Sequence, residues 1–190
     1  AQATDVDIGF EKAYQRGGSV HPGIFMRADD FLTGSQRTLT HEYVHLVMDE
    51  LARDQPLPAW LTEGLARFYE YEIGLVSDRP NATRLRAFHS ADEARAAANS
   101  GALIPLPTLE SLATWNSQTD EDRISLQYSE AYMAVRYLIE TYGAEAGAEV
   151  VRKIGGRFSL ARAIQNILGL PYSQFELDFV SWLEGWEDPE

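Results

Sequence analysis

Cysteine is absent from the 190-residue sequence, and its absence excludes disulfide bonds and thiolate metal ligands. Any metal ion would therefore have to be bound by histidine and carboxylate side chains. The sequence also has no apolar run of about 20 residues, the length that a transmembrane helix needs. It contains no internal repeat and no low-complexity tract.

Basic residues are scarce, with 16 Lys and Arg against 29 Asp and Glu, which gives a net charge of −13. An excess of negative charge of this size argues against nucleic acid and anionic membrane surfaces as partners. Hydrophobic residues make up 45% and charged residues 24%, which is ordinary for a globular protein. We therefore expect one domain over residues 1–190, large enough to fold around its own core.

The distribution of apolar residues predicts a mainly α (α+β) fold in three consecutive parts. Residues 1–33 are expected to form an edge-strand region. Within them SVHPGIFMRA (19–28) is rich in β-branched and aromatic residues, and Pro22 restricts it to the edge of a small sheet. Residues 34–143 are expected to form a helical core, and residues 144–190 the C-terminal helices.

About seven helices are predicted. The first is capped by Thr33 or Ser35 and runs to about Arg53, because its apolar residues recur at a spacing near 3.6. Glycine and proline mark the ends of the others. These are predicted over 58–72, 84–100 and 122–142, followed by three shorter helices in the C-terminal part.

Two of the four histidines, His41 and His45, stand four positions apart on the first predicted helix, in LTHEYVH. Residues four apart lie on one face of a helix, so both imidazoles can point at one ion. Glu42 is rotated by about 100° from His41 and can instead reach a water on that ion. The pattern H-E-x-x-H thus predicts two metal ligands and a general base, although a match can also arise by chance.

A third ligand is available in AWLTEGLARFYE, where Glu63 lies early in the second predicted helix. The short DQPLP turn between the two helices makes them neighbours in space. Two histidines and one carboxylate leave a tetrahedral position open for water, as catalytic zinc sites require. Glu63 would otherwise be a solvated helix residue, but Trp60 and Leu61 indicate that this helix is partly buried.

Three segments together resemble a known family. HEYVH is followed by WLTEGLA (60–66) and later by YSEAYMAVRYLIETYG (128–143), and this combination is similar to the gluzincin metallopeptidases, in particular the peptidase MA-like group. The resemblance extends over about residues 18–143 and is far more specific than H-E-x-x-H alone.

The resemblance implies a zincin-like catalytic domain that hydrolyses peptide bonds in a peptide or protein substrate. It implies one Zn²⁺ ion bound by His41, His45 and Glu63, with Glu42 as the general base. Relatives of this group are commonly extracytoplasmic, so the same location is expected here. The sequence begins AQATDV without a methionine, which suggests that an upstream segment was removed.

The family also implies a tyrosine that donates a hydrogen bond to the oxyanion. Tyr128 is the first candidate, and Tyr132, one turn later, is the second. Some relatives place an acidic residue four positions after the third ligand to orient a zinc-bound histidine, whereas this chain has Arg67 there. Another carboxylate must then orient the histidine, and helix spacing makes Asp49 and Glu70 candidates.

The segment 19–28 is expected to border the cleft and to bind an extended peptide through its backbone, with Gly23, Ile24 and Phe25 in contact with substrate. Gluzincin aminopeptidases carry a glutamate near this segment that binds the substrate's free amine. Here GIFMRAD has Arg27 at that place. An endopeptidase is therefore favoured over an aminopeptidase.

Two other interpretations remain open. In the first, the domain keeps its zinc but is catalytically silent and binds peptide or protein partners through the same groove. The presence of Glu42 argues against it, because a binding domain needs no base. In the second, the chain binds no metal and is a helical interaction domain.

Overall fold

A computed structural model describes residues 10–11, 14–16, 19–21, 24–25, 35–76 and 80–188. Eight α-helices and one short 3-10 helix account for most of the described residues. The α-helices are α1 (Ser35–Ala52), α2 (Ala59–Leu75), α3 (Pro80–Ser100), α4 (Leu112–Asn116), α5 (Glu121–Tyr142), α6 (Ala146–Gly155), α7 (Leu160–Leu168) and α8 (Tyr172–Glu184). The 3-10 helix, Leu106–Leu109, lies between α3 and α4.

The predicted small N-terminal sheet is wrong. The described residues before α1 form only β1 (Phe10–Glu11), β2 (Tyr14–Arg16), β3 (Ser19–His21) and β4 (Ile24–Phe25). These pair two by two and antiparallel, β1 with β4 and β2 with β3, and no three of them join. Isolated two-stranded pairs are marginally stable at best, and the glycines and proline in GGSVHPG weaken strand formation in the sequence. The fold is all helical rather than α+β.

The predicted helices are confirmed, with shifts at their ends. Helix α1 ends one residue before Arg53, and α2 starts after Pro58, whose carbonyl accepts the backbone N–H groups of Leu61 and Thr62. Helix α3 begins four residues earlier than predicted, at Pro80, because proline fits the first turn of a helix. Among the described residues, no helix is long and apolar enough to cross a membrane.

The central element is α5, which packs against α2, α3, α6 and α8. Helix α1 lies against α2 and α6, and β1 and β4 lie against α1. Helices α2 and α5 approach each other closely at Gly64, where a Cβ atom would overlap the backbone carbonyl oxygen of Ala131 and lie 2.7 Å from Cγ2 of Val135 on α5. Only glycine permits this distance, and it brings the residue before it, Glu63, close to α5.

The hydrophobic core is continuous from Met48 on α1 to Trp186 after α8. Most of its largest fully buried apolar side chains come from α2, α5 and α8, and the 3-10 helix and α7 add Leu106 and Ile164. One face of α8 is part of this core: Phe175, Phe179 and Leu183 are buried, and Trp182 packs against the core at its margin.

Glu130 on α5 is a fully buried carboxyl group in this core. Its two oxygens lie 2.9 and 3.1 Å from the backbone nitrogen of Ile104, which donates to them. Burial raises the pKa of Glu130 from 4.5 to about 8, against the opposing effects of the Ile104 hydrogen bond and the charge of Arg123. Between these two pH values the folded protein therefore binds a proton that the unfolded chain releases.

We expect the free energy of unfolding to fall as pH rises from about 4.5 to 8, by up to a few kcal/mol, since one pKa unit corresponds to about 1.4 kcal/mol. Glu130→Gln removes this titration, so the free energy of unfolding should fall less between pH 4.5 and 8 in the variant than in wild type. Urea unfolding at several pH values measures the difference. Glu176→Gln is the matched control, because its half-buried carboxylate accepts from Leu106 in the same loop. Parallel pH profiles for wild type and Glu130→Gln would contradict the prediction.

Candidate metal centre

His41 and His45 lie on one face of α1, as their spacing predicts, with ring centroids 4.9 Å apart and the rings in an edge-to-face arrangement. Each side chain is 17% exposed, so the pair is mostly buried but still reachable from solvent. The two imidazoles therefore present nitrogen atoms to the same place at the rim of the core.

Glu63 on α2 supplies a carboxylate to the same place. One oxygen lies 3.3 Å from Nε2 of His41 and the other 3.8 Å from Nε2 of His45. One ligand atom from each residue lies within 4.8 Å of the others, a grouping that could hold a metal ion. Ligand atoms of tetrahedral zinc are about 3.3 Å apart, given bonds of about 2.0–2.1 Å. The three side chains are therefore near enough to one another to hold a metal ion of this size after small adjustments.

A second carboxylate lies behind His41. Oε2 of Glu70 is 3.2 Å from Nδ1 of His41, and Oε1 of Glu70 is 3.3 Å from Nε of Arg37. Glu70 is 6% exposed and lies seven residues, or two helical turns, after Glu63 on α2. Asp49, the other candidate for this position, is exposed, and its charge acts on His45.

The local charge favours a cation. Burial alone would lower the pKa of His41, but hydrogen bonds from its ring to the carboxylates of Glu63 and Glu70 outweigh burial and raise the pKa to about 9. Burial lowers the pKa of His45. Burial also acts to raise the pKa of Glu63, but the two histidines outweigh it and lower that pKa. Positive charge is thus stabilised between the three side chains.

Glu42 and Tyr128 lie near enough to each other for the charge of one to act on the other. Glu42 is 8% exposed and follows His41 on α1. Burial raises the pKa of Tyr128, and the negative charges of Glu63 and Glu42 raise it further. The phenol of Tyr128 is therefore within electrostatic range of both carboxylates and keeps its proton at neutral pH.

Tyr132 is placed elsewhere. Its ring packs edge-to-face on Tyr71 with centroids 4.9 Å apart, and its hydroxyl accepts a hydrogen bond of 3.1 Å from Nη1 of Arg136. Burial raises the pKa of Tyr132 to about 12, and the charges that act on it are those of Arg136, Tyr71 and Glu72. None of these belongs to the His–His–Glu group.

The predicted substrate residues are only partly described. Gly23 lies outside the described residues. Ile24 and Phe25 form β4, with Phe25 opposite Phe10 and Ile24 opposite Glu11. Because β4 lies against α1, the backbone of these two residues is near the helix that carries His41 and His45. Strand β4 has only two residues, whereas the edge strand was expected to extend over 19–28.

Sequence reasoning did not assign a role to Arg67, which the structure places in the same region. Its guanidinium carbon lies 4.8 Å from the ring centroid of Tyr128, and Nη1 donates to the hydroxyl of Tyr71 over 3.2 Å. The charge of Arg67 also acts on Glu63. The signal in the sequence is the spacing of Glu63, Arg67 and Tyr71, which puts all three on one face of α2.

Residues 13–185 match the family model described as the peptidase MA superfamily. Members of this superfamily are generally metal-dependent. No curated protein and no solved structure matches the chain. The match covers the described helices and all of the His–His–Glu group.

Proposed function

The chain belongs to the peptidase MA superfamily, and on this premise we propose that it is a zinc-dependent peptidase of the gluzincin type. The observation that carries the proposal is the convergence of His41, His45 and Glu63 on one place. Two imidazoles and a carboxylate are the ligand set of catalytic zinc sites, which keep a further position for water.

The residues around this group support a hydrolytic role. Zinc, when bound, lowers the pKa of a coordinated water and polarises a carbonyl group. Glu42 accepts a proton from the attacking water and delivers it to the leaving amine. Tyr128 donates its phenolic hydrogen to the oxygen of the substrate carbonyl as negative charge develops there. Glu70 accepts from Nδ1 of His41 and so directs Nε2 towards the ion.

We further propose that the substrate is an internal peptide bond of a polypeptide. An aminopeptidase needs a carboxylate that binds the free amine of its substrate, and the GIFMRAD segment offers Arg27 instead. The exposure of 17% at each histidine is consistent with a cleft that a polypeptide can enter.

The proposal is tested by incubating the purified protein with casein and with an aminoacyl p-nitroanilide, each with and without one equivalent of zinc. We expect fragments of casein by mass spectrometry, loss of cleavage with a chelator, recovery with zinc, and no release of nitroaniline. Stoichiometric zinc without cleavage of casein or of a broad peptide library would instead support the catalytically silent binding domain.

Glu70→Gln should weaken zinc binding by about 10- to 100-fold, the usual effect of removing a carboxylate behind a metal-bound histidine. The amide can still occupy the position 3.2 Å from Nδ1 of His41, but it lacks the charge that raises the basicity of the ring. Competition with a chromogenic chelator measures the affinity. Glu50→Gln, on an exposed carboxylate of α1, is the control, and equal losses in both variants would contradict this role.

A further inference from the structure

The guanidinium group of Arg67 makes contacts on two sides, one with Tyr71 and one with Tyr128. On one side Nη1 donates to the hydroxyl of Tyr71, which is in turn 3.1 Å from the hydroxyl of Ser90 on α3. On the other side the guanidinium carbon lies 4.8 Å from the ring centroid of Tyr128. Arg67 thus connects a buried hydrogen-bonded pair to the tyrosine beside the candidate metal centre.

Tyr128 is held by a second contact, from α4. The ring of Trp115 meets it edge-to-face, with centroids 5.0 Å apart and an interplanar angle of 85°. The carbonyl of Trp115 accepts from Nε2 of Gln127, the residue before Tyr128, over 3.4 Å. The phenol ring is therefore fixed between a cation from α2 and an indole from α4, which leaves it little rotational freedom.

Stability alone does not account for a guanidinium at this position. Nε of Arg67 is buried and has no hydrogen-bond partner among the described residues. An unpaired buried donor is unfavourable, and an apolar side chain of similar length would avoid it. The group is nevertheless well suited to stack on a tyrosine ring, since arginine is planar and carries a permanent charge.

We propose that Arg67 is a positioning residue that fixes the phenol of Tyr128 next to the carboxylates of Glu63 and Glu42. Its effect on catalysis rests on the function proposed above, whereas its effect on the orientation of Tyr128 does not. Arg67 touches Tyr128 and acts through it. Four residues after the third ligand, some relatives have an acidic residue that contacts a zinc-bound histidine. Here Arg67 contacts Tyr128 instead, and Glu70 makes the contact to His41.

The kinetic test uses Arg67→Met, Tyr128→Phe and the double variant on a fluorogenic peptide that spans a cleaved casein bond. Arg67→Met should lower kcat by about 10- to 100-fold, as a misplaced catalytic group does, with KM within about two-fold of wild type. The double variant should be no slower than Tyr128→Phe. Additive losses would overturn the proposal, because Arg67 would then act independently of Tyr128.

Arg136→Met is a matched control. Arg136 also donates to a tyrosine hydroxyl, that of Tyr132 over 3.1 Å, and also stacks on an aromatic ring, with its guanidinium carbon 4.8 Å from the centroid of Trp186. It makes the same two contacts away from the metal centre. We expect wild-type kcat for this variant, and a loss equal to that of Arg67→Met would overturn the proposal.

A second test needs no activity. In protein with labelled aromatic rings, the resonances of Tyr128 are assigned by their loss in Tyr128→Phe, and nuclear Overhauser effects to Trp115 report its orientation. These effects should be present in wild type and Arg136→Met and lost in Arg67→Met, with and without zinc. If the nuclear Overhauser effects persist in Arg67→Met, the positioning role of Arg67 is contradicted. If wild type cleaves no substrate, only the proposed peptidase function is contradicted, and the nuclear Overhauser effects still test the role of Arg67.

Discussion

Glu42→Gln is expected to abolish peptide cleavage while leaving the zinc content unchanged. Glu42 follows His41 on α1, is buried, and lies close enough to Tyr128, the proposed oxyanion donor, for its charge to act on it. A glutamine of the same shape cannot accept a proton from water. General acid–base catalysis contributes about 100- to 10,000-fold, and we expect a loss of kcat of that size on casein-derived peptides.

Zinc content measured by elemental analysis separates this effect from loss of the metal. Glu50→Gln is the control, because Glu50 is an exposed carboxylate on the same helix, and it should cleave at the wild-type rate. Substantial residual activity in Glu42→Gln, with one zinc ion per chain, would show that another group acts as the base.

Glu63→Ala is expected to remove stoichiometric zinc and all metal-dependent activity. Of the carboxylates that the structure describes, Glu63 is the one that bridges both histidines, with its oxygens 3.3 and 3.8 Å from their Nε2 atoms. Without it His41 and His45 remain as two ligands, fewer than the three protein ligands of catalytic zinc sites. At a zinc concentration 100 times Kd, binding should stabilise wild type by about 2.7 kcal/mol, and this gain should vanish in the variant.

Thermal unfolding with and without zinc measures the difference, and elemental analysis gives the stoichiometry. Glu72→Ala serves as the control, since Glu72 is exposed on the same helix, and its zinc-dependent rise in Tm should equal that of wild type. Retention of one tightly bound zinc ion in Glu63→Ala would contradict the ligand set and would point to another carboxylate.

The helices and the metal group could be predicted because both depend on local spacing. Two histidines four apart share a helix face whatever the tertiary structure, and the short turn from Arg53 to Pro58 forces α1 and α2 together. The structure accordingly brings Glu63 to the pair. Gly143 likewise ends α5 with a positive φ of 103°, a conformation that glycine adopts readily.

The remaining features depend on contacts between distant segments. Glu70 and Asp49 were equal candidates by spacing, and only the packing of α2 against α1 places Glu70 on His41. In the sequence Arg67 is a departure from the family pattern with no assigned role. Its contact with Tyr128 depends on the packing of α5 against α2, which the sequence does not reveal. The predicted N-terminal sheet was wrong because strand propensity in 19–28 does not by itself join short strand pairs into a sheet, and β1–β4 and β2–β3 stay two separate pairs. The extracytoplasmic location stays a prediction.

The central claim is that His41, His45 and Glu63 together hold one zinc ion. Anomalous diffraction from crystals grown with zinc, recorded just above and just below the zinc absorption edge, tests it most directly. We expect a single peak about 2.0–2.2 Å from one nitrogen of each histidine and from a carboxylate oxygen of Glu63. A fully occupied zinc peak elsewhere in the molecule, or no peak between these three side chains at saturating zinc, would contradict it.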